Sequence, residues 1–377
     1  MSRKIHVIIL MSIFVLTLLG MGGCSSDTNG KGQKIVKIAF VSPLTGDVAA
    51  MGQGMKHGAQ MAIDEANKLY PQYKFVLLAL DDRSDPKEAV NAASQIISDR
   101  QVYGVVGHLN SGCSIPASTV YHKRNLPMVS PASTNPKLTK QGLNNVFRLC
   151  ATDEVQGQFC AEYLRQNTLN TIAVIHDKTP YGQGLAEELI KTVKSNKGTI
   201  VCYEGISLGD KDFKSLLIRI KSLHPQAIYF GGMYQEGGLI SKQAKELALN
   251  IPMVGGDGIY SNEYIKIAGS ASEGDIATCI GLPPEKLPKA IAFIKSYKVR
   301  FPGFDMQPYD AMTYDTTMLL AQTIVKAGLD RGAIVKELRQ TNYDGLTGKV
   351  MFDVNGDTLN KAISLYVVKN GTWVYKE

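Results

Sequence analysis

Three short segments hold the residue types that could bind a charged small molecule. They are Gly107-His108-Leu109-Asn110-Ser111-Gly112, Ser130-Pro131-Ala132-Ser133-Thr134-Asn135-Pro136 and Gly255-Gly256-Asp257-Gly258. The first two offer hydroxyls and main-chain amides, and such groups at a helix start form an anion site suited to a carboxylate. The third brings one carboxylate, which suits an ammonium group. Together they describe a receptor for a zwitterion; the plainer alternative is that Ser111 and Thr134 are helix caps. Patterns for bond-breaking chemistry are missing. The chain has no Walker A loop, zinc-binding His-Glu pair or serine nucleophile elbow. Gly52-Gln53-Gly54 with Gly58 approaches a dinucleotide loop, but its third glycine comes one residue too late. Of six histidines, His108 and His176 each end a strand and are read as structural.

Segments of this kind serve a ligand when they sit beyond the carboxyl ends of strands in an open α/β sheet. The surrounding sequence supplies that frame. Residues 36–44, 74–82, 102–109, 171–177, 227–233 and 251–256 are apolar runs rich in valine, isoleucine and tyrosine. Lacking strict alternation, they read as strands buried on both faces. Helical patterns lie between them at 51–70, 86–100, 181–195 and 234–249, the second with Asp85 as cap and Pro86 at its first position. This alternation predicts parallel α/β sheets. After two further helices, at 309–327 and 330–339, come Gly345, Gly348, Asn355-Gly356 and Asn370-Gly371. Asn-Gly pairs between apolar runs signal hairpins, so the chain is expected to return and finish an earlier sheet in antiparallel fashion.

The N-terminus reads as a processed signal. Arg3 and Lys4 precede the apolar run Ile5 to Leu19, then Gly20, Gly22 and Gly23 lead to Cys24. A charged start, an apolar stretch and small residues mark an export signal, and the run is short for a spanning helix. A cysteine directly after small residues matches bacterial lipoprotein signals, although Met21 stands where leucine is usual. The expected division is 1–23 as lipoprotein signal peptide and 24–33 as a flexible tether, with Cys24 acylated. Removing Arg3 and Lys4 lowers the formal charge from +7 to +5 without leaving any dense basic run, which argues against nucleic acid. The remaining cysteines, Cys113, Cys150, Cys160, Cys202 and Cys279, are odd in number and match no metal or redox spacing, so buried free thiols are expected.

Over essentially the whole mature chain the sequence resembles the branched-chain amino-acid-binding (Leu/Ile/Val) members of the type I periplasmic binding proteins. The matching stretches are Ile38 to Gly46, Gly52 to Ala66, Asp81-Asp82 with Asp85-Pro86, Gly107-His108-Leu109, Ser130-Pro131-Ala132 with Thr134, and Ile175-His176-Asp177 with Tyr181-Gly182. The resemblance implies two doubly wound parallel-sheet lobes joined by a three-crossing hinge. Lobe one would be 34–150 plus 282–353, and lobe two 151–281 plus 354–377. Ser111, Ala132, Ser133 and Thr134 would hold the ligand's carboxylate and part of its ammonium, Asp257 would pair with the ammonium, and Tyr181 would close over the ligand. Met51, Leu109, Met233 and Tyr309 would line the side-chain pocket. Met51 and Met233 stand where aromatic residues are frequent, and plain core packing is the alternative for both. Asp257 is one methylene shorter than the usual glutamate.

The function implied is capture of a leucine, isoleucine or valine-type amino acid by a lipid-anchored, extracytoplasmic, monomeric protein that delivers it to an ABC permease, with no cofactor and no catalysis. A binder of another amino acid, an amide or urea is the nearest alternative, and a neutral ligand would leave the Asp257 carboxylate unpaired. A sensory module or an exported enzyme are the more distant ones.

Overall fold

The computed structural model describes residues 33–376. The signal segment, Cys24 and most of the tether lie outside them. Strands β1 (Lys34–Ser42), β2 (Tyr73–Asp81), β3 (Val102–Gly107), β4 (Met128–Ser130) and β5 (Val146–Arg148) form a first sheet in the order β2-β1-β3-β4-β5, parallel throughout. Strands β6 (Thr171–His176), β7 (Thr199–Gly205), β8 (Ala227–Gly231), β9 (Met253–Gly255) and β10 (Ile276–Ile280) begin a second. A small hairpin, β11 (Tyr343–Asp344) and β12 (Lys349–Val350), precedes β13 (Ile363–Lys369) and β14 (Thr372–Tyr375). The second sheet runs β14-β13-β10-β9-β8-β6-β7, with β13 antiparallel to β10 and β14 antiparallel to β13.

The helices are α1 (Ala49–Leu69), α2 (Pro86–Ser98), α3 (Ser111–His122), α4 (Lys137–Lys140), α5 (Asp153–Gln166), α6 (Pro180–Ser195), α7 (Lys214–Ser222), α8 (Tyr234–Glu246), α9 (Asn262–Ala268), α10 (Pro288–Arg300), α11 (Asp310–Ala327) and α12 (Arg331–Leu338). Strand β1 shows why both faces need them. Val36, Ile38 and Phe40 point into a core with Met51, Met55 and Ile324, while Ala39 and Val41 point into another with Ala89, Ala93 and Ala117. With a two-residue period, a strand apolar at each successive position from Ile38 to Val41 must be covered on both sides. Glycines at 54 and 58 let α11 lie close on α1, since a methyl at either would overlap Asp310.

The elements expected from sequence are present, with ends displaced by a few residues. Asn370-Gly371 forms the β13–β14 turn as expected. Asn355-Gly356 turns the chain back in a short antiparallel loop, closed by the Phe352–Thr358 bridge and by the Asp353 and Leu359 amides donating to the Asp357 and Met351 carbonyls. There Gly356 O accepts from the Arg148 amide and the Thr358 amide donates to Arg148 O, so the turn also packs against β5 of the first sheet. Strands β4 and β5 span three residues each, too short to show any period in sequence. The five cysteines from Cys113 to Cys279 are separate buried thiols.

Candidate functional site

The three polar segments all follow the carboxyl ends of parallel strands, and local chemistry shapes each. The Ser130 hydroxyl accepts from the Ser133 amide at 2.9 Å, tightening the turn after β4. Ser133 Oγ donates toward the carbonyls of His108 (3.1 Å) and Leu109 (3.0 Å) and contacts Ser114 Oγ at 2.6 Å. The segment after β4 is thereby stitched to the segment after β3. His108 itself is buried between Asp82 (2.7 Å) and the Tyr121 hydroxyl (3.0 Å), a structural placement. Arg148 supports the same loop from below. Its guanidinium bonds Asp357 at 2.5 Å, the carbonyls of Ser133 and Asn135, and the Thr139 hydroxyl.

Helix α3 opens at this point without a capping side chain on Asn110, so no side chain competes for its first amides. Ser111 Oγ accepts from the Asn135 amide at 3.2 Å, which leaves its own proton to donate. Across from it, Thr179 caps α6 by accepting from the Gly182 amide, with Pro180 at the first helical position. That start aims Tyr181 at Asp257. The Tyr181 hydroxyl donates to Asp257 Oδ1 at 2.9 Å and accepts from the Gly258 amide at 2.8 Å. Tyr309, just ahead of α11, donates its hydroxyl to Asp257 Oδ2. Asp257 is thus a buried carboxylate between two phenols from opposite sides of the cleft. Burial pushes its pKa up, while the Tyr309 and Tyr181 hydroxyls and the neighbouring Gln156 pull it back. Burial first, then the Asp257 charge, pushes both tyrosine hydroxyls well above their ordinary range.

Leu109, Asn110, Ala132, Tyr181, Met233, Asp257 and Tyr309 surround a common cavity of about 10 Å³, room for roughly one water. The cleft is drawn together around it: Asn135 Nδ2 donates to the Pro180 carbonyl at 2.6 Å, joining the loop after β4 to α6. Outward, past Asn110, Tyr181 and Met233, a mouth of about 500 Å³ carries Asp47, Arg83, Asp85, Asp177 and Glu236 on its walls. Six of the residues expected from sequence therefore meet at one cavity. Ser111 and Thr134 are both buried and are not among the residues that line it. Met51 does not line it and packs in the core with Met55 and Phe40, and the Ser133 hydroxyl is committed to backbone carbonyls. Sequence reasoning passed over Asn110, which follows Leu109 directly in the quoted segment, and the buried polar residues Arg148, Asp153 and Gln156. A charged residue such as Arg148 inside an otherwise apolar run was the signal available. Among the described residues, no three His, Cys, Asp or Glu side chains gather as a metal site.

A carboxylate together with amides and hydroxyls can hold ammonium and carboxylate at once. A family model described as periplasmic binding protein matches residues 35–372. A Leu/Ile/Val-binding protein homolog from Brucella suis is 36% identical over 341 residues, covering 89% of this chain and 91% of its own. Among solved structures, a leucine-binding protein from Thermotoga maritima superposes with a TM-score of 0.84 at 33% identity, covering 91% of this chain and 98% of its own. A branched-chain amino acid transporter substrate-binding protein from Streptococcus pneumoniae, in complex with isoleucine, gives 0.82 at 27% identity, covering 91% and 100%.

Proposed function

The chain belongs to the periplasmic binding protein family, and on that premise we propose that it captures a branched-chain amino acid outside the cytoplasmic membrane and passes it to an ABC importer. The observation that carries this reading is the buried Asp257 carboxylate, gripped by Tyr181 and Tyr309 and lining one cavity with Asn110 at the uncapped start of α3. Burying a zwitterion demands a partner for each charge. Ser111, Thr134 and the α3 amides take the carboxylate; Asp257 takes the ammonium; Leu109, Met233 and Tyr309 bound the side chain. The Leu/Ile/Val and leucine binding of the relatives supports the same ligand class.

Capture works by hinge closure, with lobe one at 34–150 plus 282–353 and lobe two at 151–281 plus 354–377. A space of about 10 Å³ admits no amino acid until its walls part, so entry needs the lobes to open and retention needs them to close. No covalent step is involved, and the protein acts as a monomer that Cys24 anchors through lipid. Calorimetry with leucine, isoleucine and valine tests the reading. Binding at micromolar affinity or tighter is expected, about −8 kcal/mol or better, with a fall in radius of gyration by small-angle scattering. If none of the three binds while an uncharged amide or urea does, the zwitterion reading is wrong.

A further inference from the structure

A second cavity, of about 360 Å³, shares no residue with the one around Asp257. Tyr260, Tyr366, Trp373, Met306, Pro308 and Met312 supply most of its apolar wall. Pro308 adjoins Tyr309, Tyr260 lies just past Asp257, and Gly281-Leu282 on the wall is a crossing between the two proposed lobes. Both lobes therefore meet there, and Ser261 Oγ donates across to Gln307 Oε1 at 3.1 Å. A volume of this size lies in the range that holds small molecules, whose sites join a mainly apolar lining to a few polar groups.

The polar groups on that wall decide what it suits. Trp373 Nε1 donates to the Ser261 carbonyl, Gln307 Nε2 to the Asp305 carbonyl and Thr372 Oγ1 to the Lys369 carbonyl, each at 3.0 Å. With Ser261 committed to Gln307, these four donors are taken. Among the described residues, no lysine or arginine lines the cavity, and Glu285 is its one charged residue. The Glu285 side chain is exposed, and its carboxylate makes no hydrogen bond or ion pair among the described residues. Its charge reaches inward: burial pushes the Cys279 thiol and the Tyr260 and Tyr366 hydroxyls above their ordinary range, and Glu285 pushes all three further. The adjoining rings already hold one cation. Lys286 Nζ stands 3.5 Å from the centroid of Tyr375, whose ring meets Tyr366 edge-on at 5.8 Å. A cation over an aromatic face is attracted by the ring quadrupole, and a carboxylate beside it adds complementary charge.

We propose that this cavity is a second ligand site, which takes a small apolar ammonium compound of the arylalkyl amine class. The apolar body lies among Trp373, Met306 and Met312, and the ammonium lies at Glu285. An amino acid is disfavoured there, because its carboxylate would meet Glu285 and donors that are already committed. Since both lobes line the cavity, its occupant holds them in the closed arrangement. By linkage, amine and leucine then strengthen each other's binding. That coupling rests on the hinge-closure reading above; the site itself does not.

Trp373 is the only tryptophan of the chain, so tryptophan fluorescence reads this cavity. The purified protein is titrated with phenethylamine, phenethyl alcohol and phenylacetate, which share a ring and differ in charge, with and without saturating leucine. The amine should shift the Trp373 emission and bind about tenfold more tightly than the alcohol. Phenylacetate should not bind. Leucine should tighten the amine about fivefold. Glu285→Gln, at an exposed position, should weaken the amine about fivefold while leucine alone binds it as it binds the wild type. The amine response should persist in Asp257→Asn. Equal responses to all three compounds, or unchanged amine affinity in Glu285→Gln, overturn the site. So does loss of the amine response in a folded Asp257→Asn protein, which would place the amine in the inner cavity. An amine response that leaves leucine affinity unchanged overturns the coupling. Should leucine, isoleucine and valine all fail to bind, the amino-acid reading and the coupling fall, and the amine titration alone decides the site.

Discussion

Asp257 joins two sides of the cleft through one side chain, because its oxygens receive Tyr181 from α6 and Tyr309 from the turn before α11. A carboxylate so placed has its charge partly satisfied by neutral donors, and a cation that replaces water around it gains more than at any surface ion pair. Asp257→Asn keeps the shape and most of the hydrogen bonding while removing the charge. Under the proposed function it should weaken leucine binding at least a hundredfold, roughly 2.7 kcal/mol, and leave the melting temperature of the unliganded protein nearly unchanged. Titration of both proteins by calorimetry, with melts recorded alongside, checks this. Unchanged affinity in a folded variant would take Asp257 out of the binding role. The aspartate and the hydroxyl residues after β4 are readable from local sequence, whereas Tyr181 is reached only through the family resemblance. Asn110 and Asp153 escaped that reading, because their relevance comes from what surrounds them.

Helix α11 shows what a late element imposes on an early one. It packs on α1 over one face of the first sheet, and its first residue, Asp310, fills the space left by Gly54 and Gly58. The Asp310 carboxyl accepts the Gln307 amide at 2.9 Å, while its other oxygen has no partner. Burial pushes this carboxyl up to about 8. In the unfolded chain it ionises near 4, so between roughly pH 4 and 8 the folded state holds a proton that the unfolded state has lost. Its contribution to stability is present below the unfolded value and is lost as pH rises through that window. Asp310→Asn removes the titration and keeps a carbonyl for Gln307. Its melting temperature relative to wild type should therefore rise steadily from pH 5 to pH 8. Parallel curves for the two proteins would show that Asp310 does not titrate as its burial implies. The three glycines of α1 looked like a damaged dinucleotide loop in sequence. In the fold, Gly54 and Gly58 are the seat of α11, and Gly52 fits beneath the Pro43 carbonyl.

At the scale of the molecule, the chain visits the first sheet, builds most of the second, returns for α10 to α12 and ends on β13 and β14. The passages meet where Arg148 pairs with Asp357 beneath the Ser133–Asn135 loop, so the same contact that binds distant segments also sets the floor of the cleft. The proposed anchor acts on this whole body: acylated Cys24 should send the native protein into the detergent phase, and Cys24→Ser should release it. Mass spectrometry showing an unmodified N-terminus cut elsewhere would sink that proposal. The amino-acid order determined by itself whatever depends on near neighbours. Alternating apolar and amphipathic runs, the Asp85-Pro86 helix start and the Asn370-Gly371 turn are settled within a few residues by dihedral preference and period. Tertiary structure alone decided how polar groups are partnered. Arg148 finds Asp357, Tyr181 finds Asp257, and Asp153 finds nothing, because a buried group's hydrogen bonds are made by residues far away in the chain.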